Sequence, residues 1–115
     1  MTLEEFIKMG KQRRFLSNEW VTAEGFSGLY VRFGQRYIDG ERVKDVLDLS
    51  NMTAEVPGNG AFTRLLKFLR EEHPELTLYV ENVMTARFGD RLMRMGFTQE
   101  GDSHPFSYVM RAVQQ

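Results

Sequence analysis

The sequence predicts an α+β domain, an α/β sandwich in which a mixed, mostly antiparallel twisted sheet is flanked by helices on its faces. Three observations lead there. Strand-type runs recur at residues 29–38, 43–52, 76–83 and 106–110. Two stretches, opening near Gly60 and Met84, carry apolar stripes at helical spacing. A single helix lies between the runs at 43–52 and 76–83, so these two strands should be parallel and joined by a right-handed crossover.

Each element has its own signal. Residues 3–16 read as a helix because Leu3, Phe6, Ile7 and Gly10 share a face, although Gly10 weakens it. A loop with Ser17, Asn18, Gly25 and Gly28 follows, with Trp20 as a packing or rim residue. Leu29, Val31 and Phe33 alternate as one face of a strand. Gly34 then predicts a bend into a short strand through Arg36, Tyr37 and Ile38. Asp39-Gly40 is a hairpin turn signal leading into the run at 43–52, where Val46, Leu47 and Leu49 are apolar. Phe62, Leu65, Leu66 and Leu69 stand at i, i+3, i+4 and i+7, a helix from about Gly60 to Glu72 that Pro74 ends. In the strand from Leu76, the spacing sends Leu76, Leu78 and Val80 one way and Tyr79, Glu81 and Val83 the other. Met84, Phe88, Leu92 and Met95 form the next helical stripe, which Gly96 stops. Phe97 starts a short strand, Gly101-Asp102-Ser103 turns the chain, and residues 106–110 close it as a strand.

Composition narrows the function classes. A chain of 115 residues, 42% hydrophobic with nine Phe, suits one domain with one core. Residues 1–27 are its abbreviated N-terminal helical region. The net charge of -1 supplies no field for nucleic acid or membrane. Basic clusters at Lys11-Gln12-Arg13-Arg14 and at Arg87, Arg91 and Arg94 read as solvated helix faces. The absence of cysteine excludes disulfides, thiolate nucleophiles and Cys-based zinc sites, and no metal site is expected. His73, before Pro74, reads as a helix-end residue rather than a ligand. The N-terminus is charged where a signal peptide would be apolar, which predicts a cytoplasmic protein. A monomer and a homodimer are both open.

The segment Glu55-Val56-Pro57-Gly58-Asn59-Gly60-Ala61-Phe62 carries the chemistry. A strand that turns through glycines into a helix leaves the first helical N–H groups unpaired. Their partial positive charge suits a phosphate or pyrophosphate, and the missing side chains allow its close approach.

This loop, the strand after its helix, and the ending Arg94-Met95-Gly96-Phe97 resemble the GNAT family of acyl-CoA-dependent N-acyltransferases. The resemblance spans roughly residues 28–110. The family's loop reads Gln/Arg-x-x-Gly-x-Gly/Ala, which Gly58 and Gly60 fit, while Glu55 stands where Gln or Arg is usual. Tyr79-Val80-Glu81-Asn82-Val83 with Phe88, Leu92 and Gly96-Phe97 is similar to the far wall of the acyl-CoA cleft. The short length is similar to compact members found among bacteriophage.

The resemblance implies transfer of an acetyl group from acetyl-CoA, or another acyl-CoA, to an amine of a small molecule or protein. Amides from Gly58, Asn59, Gly60, Ala61 and Phe62 would hold the CoA pyrophosphate. Pantetheine would lie between the strand ending near Met52 and the strand at 76–83. An N–H between Met52 and Ala54 would polarise the thioester carbonyl. Asn82 and Thr85 are the further cofactor-binding candidates, Thr85 occupying the position where the family often has Asn. Catalytic candidates are Glu55 and Asp48 as bases, with Tyr108, or else Tyr79, as a phenol. The family's acid to the departing thiolate, a Tyr four residues before the glycine of Gly-Phe, is replaced by Leu92. Glu55 and Leu92 also motivate a different reading, a non-catalytic module that regulates or inhibits a protein partner.

Overall fold

The computed structural model describes residues 1–13 and 17–113. In chain order the elements are α1 (Leu3–Gln12), β1 (Ser17–Val21), β2 (Phe26–Ile38), β3 (Glu41–Ala54), α2 (Ala61–Glu72), β4 (Thr77–Val83), α3 (Ala86–Arg94), β5 (Thr98–Glu100) and β6 (Phe106–Met110). The six strands form one sheet in the order β1-β2-β3-β4-β6-β5. Every neighbouring pair is antiparallel except β3 and β4, which are parallel and joined through α2. The α+β class and the mixed, mostly antiparallel sheet are therefore as expected.

The local chemistry accounts for the element ends. α1 starts at a capping box: Glu5 N donates to Thr2 Oγ1 at 3.1 Å, and Thr2 N donates to Glu5 Oε1 at 2.9 Å. It stops at Gln12 rather than continuing to 16, and residues 14–16 lie outside the described residues. Gly10, which lowers helix propensity, is explained by packing. A Cβ there would sit 2.7 Å from the Phe33 ring, so only a bare backbone lets α1 lie on β2. At Asp39-Gly40 both residues take positive φ, 51° and 79°, the turn geometry that matches strand twist.

Four expectations need correction. Residues 17–21 are a strand, not a loop, so the N-terminal region is helix plus edge strand. Gly34 does not divide β2, since a register shift between Gly34 and Arg36 lets one long strand continue through it. Val83 does not follow Tyr79 and Glu81. Asn82 takes a φ of 53° and the register shifts between Val80 and Val83, which turns Val83 into the core. Met84 lies outside the helix at 68% exposure, because the chain turns there before Thr85 caps α3.

All three helices pack on one face of the sheet, not on both. Leu3, Phe6 and Ile7 of α1, Leu65, Leu66 and Leu69 of α2, and Leu92 of α3 share one cluster with Leu29, Val31, Leu47, Leu49, Leu78 and Val80. The other face carries a small cluster of Ile38, Val46, Tyr79 and Val109, with no helix over it. It also carries the Trp20–Tyr30 ring pair and the Arg36–Asp48 and Arg36–Glu81 ion pairs. His73, buried at the end of α2, lies 3.0 Å from a Glu4 carboxylate oxygen and so ties α2 to α1.

Candidate functional site: a cleft where two parallel strands part

The parallel seam between β3 and β4 is short. Only Val46, Leu47 and Asp48 are in register with Thr77, Leu78 and Tyr79. Beyond Asp48, β3 runs on to Ala54 paired with β2 alone, and β4 runs on to Val83. The backbone edge of β3 that faces β4 is thus left without a strand partner. α2 starts above the open end of β3, and α3 starts above the open end of β4.

A cleft of about 430 Å³ opens beside the freed end of β3. Met52 and Ala54 of β3, the loop residues Gly58, Asn59 and Gly60, Ala61 and Phe62 of α2, and Phe88 and Arg91 of α3 line it. Phe62 and Phe88 meet edge-on with centroids 5.7 Å apart, forming its apolar wall. Seven of the residues that the sequence nominated for cofactor binding are therefore brought together: Met52, Ala54, Gly58, Asn59, Gly60, Ala61 and Phe62.

The loop suits an anion. Gly58 and Gly60 have φ of 77° and 75°, which Gly adopts without strain. A Cβ would meet nothing within 4 Å at Gly58 and only Arg64 Nη1, at 3.4 Å, at Gly60, so the backbone is approachable. Gly60 provides no side chain to cap α2. Among the described residues the amides of Gly60, Ala61 and Phe62 have no intramolecular acceptor, whereas the Asn59 amide is spent on the Val56 carbonyl at 3.3 Å. Two guanidinium groups stand beside this helix start. Arg64 donates to the Asn59 carbonyl, and Arg91 Nη2 donates to Thr63 Oγ1 at 3.1 Å. Arg91 was read as one of three solvated arginines; only a contact with α2 separates it from Arg87 and Arg94, and no sequence spacing reveals that contact.

The other nominated residues fall elsewhere. Glu55 does not line the cleft, since its neighbours Gly25, Glu24 and Arg64 belong to the cavities on the far side of the first turn of α2. Thr85 caps α3, its Oγ1 accepting from Phe88 N at 3.3 Å, so its hydroxyl serves the helix. Asn82 sits exposed at the irregular end of β4, its amide donating to Ser107 Oγ. Tyr108 is buried beneath α3 against Gly89.

Asp48 occupies the last paired position of the seam, on the helix-free face. It is 2% exposed. Arg36 binds its Oδ2 at 2.9 Å and reaches Glu81 at 3.0 Å with another nitrogen, while stacking 3.9 Å over the Tyr79 ring. Burial, reinforced by the charge of Glu81 and opposed by Arg36, pushes the Asp48 carboxyl up to about 6. Its Oδ1 and the nearby Ser50 Oγ are both buried without a completed hydrogen bond. A carboxyl group that changes charge near neutral pH and keeps one oxygen free is equipped to exchange a proton. Its side chain opens on a recess of about 80 Å³ shared with Arg32, Gly34, Gln35, Arg36 and Val46.

Tyr79 hydrogen-bonds Glu100, and burial raises its phenol above the usual tyrosine value. No group of three or more acidic, His or Cys side chains suited to a metal occurs among the described residues. None of the described helices is long and apolar enough to cross a membrane. No family model, no curated protein and no solved structure matches the chain.

Proposed function

We propose that the chain is an N-acyltransferase of the GNAT type, which takes an acetyl or other acyl group from acyl-CoA and passes it to an amine. The observation that carries this reading is the cleft itself. An uncapped helix start, the Arg91 guanidinium and an unpaired strand edge all border one space of about 430 Å³.

In this reading the amides of Gly60, Ala61 and Phe62 bind the CoA diphosphate, with Arg91 adding charge. Pantetheine lies along the open edge of β3, and a main-chain N–H between Met52 and Ala54 holds the thioester oxygen. Asp48, at the end of the seam and opening on the recess of the opposite face, takes the proton of the attacking amine through a chain of water. The amine nitrogen bonds to the acyl carbon, the carbon–sulfur bond breaks, and the thiolate leaves to be protonated by solvent. Glu55 has no part in the transfer, because its carboxylate belongs to another cavity.

Calorimetric titration with CoA tests the reading, beside a thiol-release assay with acetyl-CoA and a panel of amines. Binding in the micromolar range and amine-dependent thiol release are expected; no heat and no thermal shift at millimolar CoA would overturn it.

A second reading, a non-catalytic module that binds a protein partner, is favoured by one observation. No tyrosine lines the cleft among the described residues: Tyr108 and Tyr79 are buried elsewhere, Tyr37 is exposed, and Tyr30 stacks on Trp20 across the other sheet face. Leu92, at the family's acid position, is 0% exposed. CoA binding without turnover on any amine would favour that module.

A further inference from the structure

A second cavity is larger than the cleft. It measures about 680 Å³ and lies between α1, the β1–β2 connection and the outer side of α2. Its floor is apolar, made by Leu3, Phe26, Leu65 and Phe68. Its rim is acidic, with Glu4, Glu24 and Glu55 against the single guanidinium of Arg64. Three carboxylates and one guanidinium leave a balance of −2 at the mouth.

The pairing inside the rim leaves that charge unspent. Arg64 Nε is held by Glu24 at 3.1 Å, and a second nitrogen donates to the Asn59 carbonyl. Glu4 faces His73. The Glu55 carboxylate is exposed and enters no ion pair with Arg64, which turns to Glu24 instead. Glu55 is thus an anion at the edge of an apolar hollow, with its charge available to an incoming group.

Such a space selects by charge and by shape. A hydrocarbon body gains by leaving water for the Leu3, Leu65 and Phe68 surface. An ammonium group on that body is drawn to the carboxylates and to the faces of Phe26 and Phe68. A carboxylate on the same body is repelled. The volume lies within the range of about 300–1,000 Å³ common to small-molecule sites. We propose that this cavity binds a small organic cation, an ammonium carried on an aromatic or branched hydrocarbon. The proposal stands apart from the acyl-CoA reading, since the cavity shares only Phe26 with the cleft.

The test uses 2-phenylethylammonium and 3-phenylpropionate, two probes of similar size and opposite charge, titrated into the isotopically labelled chain. The ammonium is expected to shift amide and methyl signals of Leu3, Leu65 and Phe68, with at least about tenfold tighter binding than the acid. Glu55→Gln, at an exposed position that the fold does not need, should weaken the ammonium about tenfold and, by removing a repelling charge, bind the acid no more weakly than the wild type does. Phe68→Ala should weaken both probes. Equal affinity for the two probes, no saturable shift with the ammonium at millimolar concentration, or shifts confined to Phe62 and Phe88 in the cleft would each overturn the proposal.

Discussion

Arg91 Nη2 donates to the Thr63 hydroxyl across 3.1 Å, so α3 reaches the first turn of α2 over the mouth of the cleft. An exposed neutral partner of this kind contributes little to stability, and the guanidinium remains free to bind an anion. Arg91→Ala is expected to weaken CoA about five- to twentyfold while changing the unfolding free energy by less than about 0.5 kcal/mol. Calorimetry at two salt concentrations checks it, because the wild type should lose more affinity in salt than the variant.

Asp48 sets a pH dependence whose sign is fixed by its burial. Its folded value of about 6 lies above the unfolded value of 3.8, so the protonated form is the one that folding favours. That contribution is complete below about pH 4 and is lost as pH rises through about 6, on the order of 2–3 kcal/mol in all. Urea unfolding of the wild type and Asp48→Asn across this window should show the loss in the wild type alone. For the transfer reaction the direction is opposite: kcat/KM should rise through pH 6 as the base ionises, and the rise should vanish in Asp48→Asn.

Gly89 faces Tyr108 with no room between them. A Cβ at residue 89 would lie 2.9 Å from Cζ of the phenol and closer still to its oxygen. Gly89→Ala should therefore destabilise the domain by about 1–3 kcal/mol despite its better helix propensity. Tyr108→Phe removes the nearest atom, and adding it should recover part of the loss. A double-mutant cycle by denaturant unfolding measures that coupling.

The box at the start of α1 is a smaller lever. Thr2→Ala leaves the Glu5 amide without its acceptor and should cost about 1 kcal/mol, read as a lower chemical unfolding midpoint.

Where the sequence could be read, the signal was local. Asp39-Gly40 announces its hairpin, the stripe from Phe62 to Leu69 announces α2, and the glycines announce the open helix start, because each depends on residues within one turn of each other. β1 was not legible, since only Ser17 and Val21 of its five residues are buried and the usual alternation is missing. The bulge at Asn82 reversed Val83 for a reason that lies in the pairing with β6. Asp48 looks like any strand-end carboxylate until Arg36, Glu81 and Tyr79 close around it, and those groups come from two other strands, β2 and β4. Glu55 belongs to the loop in sequence, yet the turn at Val56–Asn59 sends its side chain to the other side of α2. Contacts between distant segments decide such positions, and periodicity holds no record of them.

Three pairs of residues join what are otherwise two antiparallel ribbons, β1-β2-β3 and β4-β6-β5. Force applied across the sheet concentrates at that junction, which yields before the longer ladders on either side. Any breathing of one ribbon against the other is expected to centre on Val46–Asp48 and to change the width of the gap above it. Deuterium uptake at Leu78 and Tyr79 is the gauge of that breathing, and a molecule wedged in the gap would slow it.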